Sequence, residues 1–346
     1  DVGNEKLSIV CGGSNVATGL KVVVAKLGAS VRWHGQGEPI VMEPAVIRGV
    51  ESRGMICASD EVGLLELFPK KDEKEIVDLS AISAKAGTPL ATALELDDVI
   101  FDIDNKSLSN RPDLWGHYGM AREVAALMRK KLKSVNPPII KGEKDWKISV
   151  DVKATDLCSR YMAVAVSGVS ATSSPTWLVQ RLASAGQRSI NVIVDLTNYV
   201  MLELGQPLHA FDAEVIKNND KAVSLVVRRA TANEKLAALD EKEYGLSEET
   251  LVIANQTEAL ALAGIKGGKK SGVSADTNTI IIEAATFNAA NVRRTSTRVG
   301  LRTDSSARYE KTLDPNLPAL ALRRVVELLL QIFPQSRVSS EIVDVI

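Results

Sequence analysis

Apolar residues between Ile190 and Leu204 recur at three- and four-residue steps (Ile190, Ile193, Leu196, Tyr199, Val200, Leu204), and this spacing predicts a helix with one apolar face. Asn191, Asp195 and Asn198 fall at i, i+4 and i+7 and draw a polar line along the other side. Gly205 stops the helix and Pro207 lies just beyond it, the usual chemistry of a helix C-terminus. His209 follows at once, so a rigid support stands ready to aim a polar side chain into a pocket. A plainer reading of the same stretch has the polar line solvated and His209 packing near the surface.

Elsewhere the period shortens to two. KISVDV and YMAVAVSGV alternate apolar and polar positions and predict two strands with one buried face. Short β-like runs punctuated by glycine, at 7–11, 21–25, 31–33, 45–50 and 55–58, predict a small barrel at the start of the chain. LDDVIFDIDN reads as a strand running into a polar turn, Asn110-Arg111-Pro112-Asp113 as a turn, and 114–133 as a helix with Ala121, Val124, Ala125 and Met128 on its apolar side. Arg129, Lys130, Lys131 and Lys133 load its C-terminal end, where cations suit the helix dipole. A proline-containing linker follows. Ser174 as N-cap and Pro175 as first helical residue open a helix ending near Gly186. Strands at 224–228, 250–254, 260–263 and 279–283 and helices at 288–298 and 317–332 complete the pattern. They interleave without a regular βαβ period, so the second half reads as α+β. The expected organisation is multidomain: 1–97 a barrel, 98–134 a strand–helix connector, 135–147 a linker and 148–342 an α+β domain.

A chain of 346 residues exceeds the usual size of one core. Aromatic residues make up only 4% of it, so Val, Leu, Ile and Ala must build the interior. Three widely spaced cysteines without CxxC pairing read as reduced thiols of a cytoplasmic protein and exclude a zinc site or disulfide frame. No apolar run approaches the ~20 residues of a membrane span. The net charge of −1 means that any nucleic-acid-binding face is local, with KGEKDWK or RRTSTRVGLR as its source.

Several residues carry candidate chemistry. Gly264, Gly267 and Gly268 in AGIKGGKKSG lack phosphate-loop spacing and read as a loop lining a pocket, where bare backbone lets a ligand approach. Glu283 continues an apolar strand, a costly place for a carboxylate unless it is paired or functional. Thr303, Asp304 and Ser305 precede a helix and serve at least as caps. Arg293, Arg294 and Arg298 form a basic helical face, either solvated or facing RNA. No Ser-His-Asp or Cys-His order and no metal-ligand cluster is evident.

The long segment DLTNYVMLELGQPLHAFD, followed in order by ALAGIKGG, IIIEAATF and LRTDSSARYEKTLDP, resembles the tRNA-editing module of the bacterial phenylalanyl-tRNA synthetase β subunit. Upstream, LSIVCGGSNVATG and VIRGVESRGMICASDEVGL resemble the OB-type tRNA-binding insert of the same subunit, and FDIDNKSLSNRPDLWGHYGMAREVAAL the segment joining the two. The resemblance implies a partial OB-type β-barrel, lacking a preceding strand, followed by an α+β editing domain that hydrolyses tyrosine wrongly esterified to tRNA(Phe). It gives Thr197, Asn198 and His209 the water and the ester end, Glu283 and the backbone at Gly264 the tyrosine hydroxyl, and Thr303 the pocket wall. His209, with an ordinary pKa of about 6.5, would act as a base. Ser305 departs from the family, in which many members carry Ala. The resemblance further implies tRNA(Phe) and the synthetase α subunit, in an α2β2 assembly, as partners, with ATP and Mg used outside this chain. A non-catalytic tRNA-binding or subunit-packing scaffold is the competing reading.

Overall fold

The computed structural model describes residues 1–346, which form two compact units: Asp1–Asp102 with Pro175–Ser189, and Ile103–Ser174 with Ile190–Ile346.

In the first unit the β-like runs condense into three separate antiparallel ladders. Val24–Ala25 pairs with Met55–Ile56, Ser30–Val31 with Ile40–Val41, and Ala45–Ile47 with Val50–Ser52. Glycines with left-handed φ at 28, 35, 49 and 54 interrupt the extended backbone every few residues, which keeps each ladder short. Segment 7–11 joins no ladder; Ser8 O accepts from Arg53 N at 2.9 Å, and Val10 N donates to Ser52 Oγ at 3.0 Å. Val23, Val31, Cys57, Leu79 and Leu94 are among the residues of a small core. Burial pushes the Cys57 thiol up to about 11, so it is inert at neutral pH. Helix Thr176–Ser184 belongs to this unit, and Gln180 donates its side-chain amide to Leu94 O.

The second unit is built on two sheets that share one core. In the first sheet the order is Lys266–Gly267, Ala259–Leu262, Leu251–Ala254, Ala222–Arg229, Lys147–Val152, antiparallel except for the last pair. The second runs Arg337–Val338, Cys158–Ser167, Thr279–Phe287, Leu208–Asp212, with Val343–Val345 also on the Cys158–Ser167 strand. Alternation sends Tyr161, Ala163, Ala165, Phe211, Ile281 and Ala285 into the shared core with Leu225, Val227 and Leu260. Two helices, Val192–Leu204 and Leu317–Ile332, pack on each other and against the second sheet, and Arg324 of one grips Glu203 of the other at 2.8 and 3.0 Å.

Two of the three positions of the polar line, Asn191 and Asp195, are spent on the protein itself, not on solvent. Asn191 caps the helix by accepting from Ile193 N and Val194 N at 3.1 and 3.0 Å. Asp195 is fully buried and accepts from Ile190 N at 2.8 Å and Ser174 Oγ at 2.5 Å. That bond takes the hydroxyl expected to cap the next helix, so Pro175 is the N-cap of Thr176–Ser184 and Thr176 its first residue. Gly205 ends the Val192–Leu204 helix in the left-handed region, φ 82°, as its sequence predicts. The helix expected over 114–133 is confined to His117–Leu127, because a 3-10 turn occupies Pro112–Leu114 and Arg129 turns to φ 50°.

The His117–Leu127 helix packs on Val192–Leu204 through glycine backbone. A Cβ on Gly116 would lie 2.3 Å from Gly205 N and 2.6 Å from Leu204 C, with no flexible side chain to yield. Gly116→Ala should therefore destabilise the second unit by ~1–3 kcal/mol or more, the cost of overpacking. Urea unfolding checks this, and an unchanged midpoint would mean the two backbones separate freely.

Candidate functional site

The site grows from the central pairing of the second sheet. Glu283 lies directly opposite His209 in the register of Thr279–Phe287 with Leu208–Asp212. Opposed antiparallel residues share a face, with Cβ atoms about 4.5–5.5 Å apart. His209 therefore sits on a strand within a sheet; the loop suggested by Gly205 and Pro207 spans only residues 205–207. Its ring stands edge-on to Phe211, centroids 4.4 Å apart, and presses on the backbone of Gly267, where a Cβ would come within 2.4 Å of Cε1. Nε2 is buried without a hydrogen-bond partner. Burial, then repulsion from Lys266, lowers His209 to about 4, so the imidazole is neutral at physiological pH.

Glu283 is 6% exposed, and burial raises its carboxyl to about 7 despite the Tyr161 hydroxyl, which donates to Oε2 at 2.7 Å. Tyr161 comes from the strand on the other side, two residues along from Ala163, the direct partner of Glu283. Burial also drives Cys158 up to about 12 and Tyr161 and Tyr309 well above their ordinary values, and Glu283 adds to each. Sequence reasoning missed Tyr161, Tyr309 and Gln206. Gln206 is fully buried; its amide donates to Pro207 O and Ala285 O at 3.0 Å, while its Oε1 has no partner. A tyrosine on an alternating strand whose partner carries a lone Glu is the signal that could have found Tyr161.

A glycine loop closes over this core. Gly264 takes φ 71°, and a Cβ there would lie 2.8 Å from the Tyr309 ring. The hydroxyls at 303 and 305 hold the loop from the next helix: Thr303 Oγ1 donates to Ile265 O and Ser305 Oγ to Gly264 O, both at 3.0 Å. Thr303 is also the N-cap of Asp304–Tyr309 in a capping box with Ser306. The departure at Ser305 thus puts its hydroxyl on loop backbone. Thr197 and Asn198 lie on the helix packed at the Leu208–Asp212 strand, which carries His209; the Thr197 hydroxyl donates to Val194 O at 2.6 Å, and Asn198 is half-buried beside it.

Arg293 and Arg294 are exposed on Ala289–Val299, whereas Arg298 pairs with Glu249 at 2.6 Å. Arg293 borders a polar cleft of about 500 Å³ with Thr297, Arg302, Glu310 and Lys311. No group of three or more His, Cys, Asp or Glu side chains has metal-binding geometry, and no helix is long and apolar enough to cross a membrane.

Residues 157–334 match the B3/4 domain family and residues 1–89 the family described as putative tRNA binding domain. The chain is 39% identical over 337 residues to the phenylalanine–tRNA ligase beta subunit of Solibacter usitatus, covering 97% of this chain and 40% of that one. It is 41% identical over 312 residues to the same subunit from Carboxydothermus hydrogenoformans, covering 90% and 37%. It thus spans about 40% of the length of these relatives. Among solved structures, an N-terminal fragment of the phenylalanyl-tRNA synthetase beta-subunit from Pyrococcus horikoshii aligns with a TM-score of 0.33 and 20% identity, over 59% of this chain and 63% of that one.

The raised Glu283 carboxyl has a consequence for stability. Between its ordinary value of 4.5 and about 7 the folded state holds a proton that the unfolded state has released, so this contribution is full below 4.5 and is lost as pH rises through about 7. Glu283→Gln removes the titration and can still accept from Tyr161. Its stability relative to the unsubstituted chain should rise between about pH 5 and about pH 8, by on the order of 2–3 kcal/mol at most. Urea unfolding at both pH values reads the difference, and an equal offset at both would show that the carboxyl titrates normally.

Proposed function

The chain belongs to the B3/4 domain family and aligns along nearly its whole length with a stretch of bacterial phenylalanine–tRNA ligase β subunits, and from that premise we propose that it binds tRNA(Phe) and hydrolyses tyrosine wrongly esterified to it. The observation that carries this reading is a buried carboxylate, Glu283, in register with a histidine whose buried Nε2 lacks a partner. A carboxylate fits the recognition of an aryl hydroxyl, and a free imidazole nitrogen fits the orientation of a water.

An aminoacyl ester is already activated, so a water held in line can attack without a covalent protein nucleophile. With its pKa lowered to about 4, His209 is a weak base. Its role in this reading is to hold the attacking water by a hydrogen bond from a neutral ring, with the terminal ribose hydroxyl of the tRNA as the natural proton relay. Thr197 retains only acceptor capacity, its hydroxyl hydrogen being committed to Val194 O; with Asn198 it would receive the ester end. Thr303 and Ser305 act through the loop they tether, keeping the bare backbone of Gly264 beside Tyr309. Arg293 and Arg294 would meet the tRNA backbone, whereas Arg298 is held by Glu249. The first unit, read as an incomplete OB-type barrel, adds tRNA affinity. Charging with ATP and Mg, and α2β2 assembly with the α subunit, belong in this reading to the whole ligase in the cytoplasm.

Deacylation of tyrosylated tRNA(Phe) by the purified chain tests the proposal. His209→Ala should slow it by on the order of 10²-fold per folded molecule, the cost of a misplaced reactant. Equal rates for the two proteins, or none above the spontaneous rate for either, would favour a non-catalytic tRNA-binding scaffold. For binding itself, affinity should fall steeply as salt is raised, because phosphate contacts release counterions; a flat response would remove the RNA role.

A further inference from the structure

We propose that Tyr161 is a positioning residue for substrate discrimination: by donating to Oε2 of Glu283 it commits one carboxylate oxygen and leaves Oε1 for the aryl hydroxyl of the bound amino acid. This rests on the reading above, in which Glu283 faces the amino-acid side chain. Tyr161 is fully buried on the strand flanking that of Glu283, its hydroxyl 2.7 Å from the carboxyl, and it receives no other protein hydrogen bond partner than this one. The contact is set by strand register: Tyr161 opposes Ala285 and Glu283 opposes Ala163, so the two side chains are diagonal neighbours on one face. A phenol ring fixed in a packed core cannot follow a wandering carboxyl, so the bond orients the carboxyl plane.

The arrangement also couples discrimination to protonation. The titratable groups around Glu283 are Tyr161 and Cys158 from one neighbouring strand, His209 from the other, Tyr309 from the Asp304–Tyr309 helix, and Lys266 beside His209. Cys158 and the two tyrosines are held protonated through neutral pH and His209 is held neutral, so Glu283 changes charge near pH 7 among neighbours that do not. When ionised, it accepts one hydroxyl hydrogen from Tyr161 and one from a bound tyrosine. A bound phenylalanine supplies no donor, and the buried charge is left with Tyr161 alone. When protonated, the carboxyl no longer carries a charge that phenylalanine leaves unmet. Preference for tyrosine over phenylalanine therefore rises as pH increases through about 7. Tyr161 favours the ionised form, because a hydrogen bond to a charged group lowers its pKa.

The test uses the full 346-residue chain and three variants, Tyr161→Phe, Glu283→Gln and the double substitution. Binding of free tyrosine and free phenylalanine is measured by calorimetry across the neutral range, and hydrolysis of the two aminoacyl-tRNA esters in parallel. The Glu283 carboxyl is titrated by infrared difference spectroscopy, with Glu283→Gln assigning the band. Tyr161→Phe keeps the buried ring and removes one oxygen. It should cut the tyrosine-to-phenylalanine ratio about tenfold at neutral pH, the effect of one hydrogen bond to a charged group. It should also move the carboxyl titration and the midpoint of the selectivity profile together to higher pH. In the Glu283→Gln background the same substitution should leave the ratio unchanged. An unaltered ratio and titration in Tyr161→Phe would overturn the proposal, as would an equal loss in the Gln background, which marks a packing effect. If amino-acid binding follows the expected pattern while no variant hydrolyses ester, Tyr161 keeps its assignment and the hydrolytic reading falls.

Discussion

Thr279–Phe287 is paired along both edges and buried at all nine positions, and the second unit depends on that constraint. A strand so enclosed has no access to water, so its backbone must be satisfied by both neighbours and its side chains must be apolar or partnered. Ile280, Ile281, Ile282, Ala284 and Ala285 comply by composition. Thr279 complies by donating to Ser167 Oγ at 3.0 Å, and Glu283 by its bond from Tyr161; Thr286, whose buried Oγ1 has no partner, is the exception. A slip of one residue would turn Glu283 toward the helix-covered face and bring Ile282 opposite His209. Packing of the strand and assembly of the site are thus one event.

Local rules carried the sequence reading furthest where a single chemical reason decides the outcome. The Val192–Leu204 helix, its stop at Gly205 and the half-buried strand Lys147–Val152 follow from periodicity and one glycine. Cys158–Ser167 is a strand as expected, but it is buried on both faces from Tyr161 onward, because it is enclosed in the second sheet. Reading failed where partners come from afar. Asp195 looked solvated because neither Ser174, 21 residues away, nor the fold that buries both can be seen in a helical wheel. Ser174 looked like an N-cap for the same reason. The expectation for the start of the chain counted apolar runs but not the glycine turns that cut them into two- and three-residue ladders.

The candidate site divides in the same way. His209 and Glu283 stood out by rarity and by context, a lone imidazole after a helix stop and a lone carboxylate in an apolar run. Their charge states did not, because desolvation depends on everything packed around a group. An ordinary imidazole would have been a base near neutrality, whereas this one is neutral and poorly basic; an ordinary carboxylate would have been ionised, whereas this one is poised. Tyr161, 122 residues from Glu283, was legible only as an aromatic on a strand.

The first unit is discontinuous: it takes residues up to Asp102, yields the chain to the second unit, and recovers it for Pro175–Ser189. During synthesis the first unit therefore cannot close until Ser189 has left the ribosome. At ~5–20 residues per second the wait after Asp102 is roughly 4–17 s. Over that interval the segment that becomes the Cys158–Ser167 strand emerges, while its partner Thr279–Phe287 has not yet been made. The order of emergence thus leaves both units open at once, and a nascent chain of this kind has a long window in which to need a chaperone.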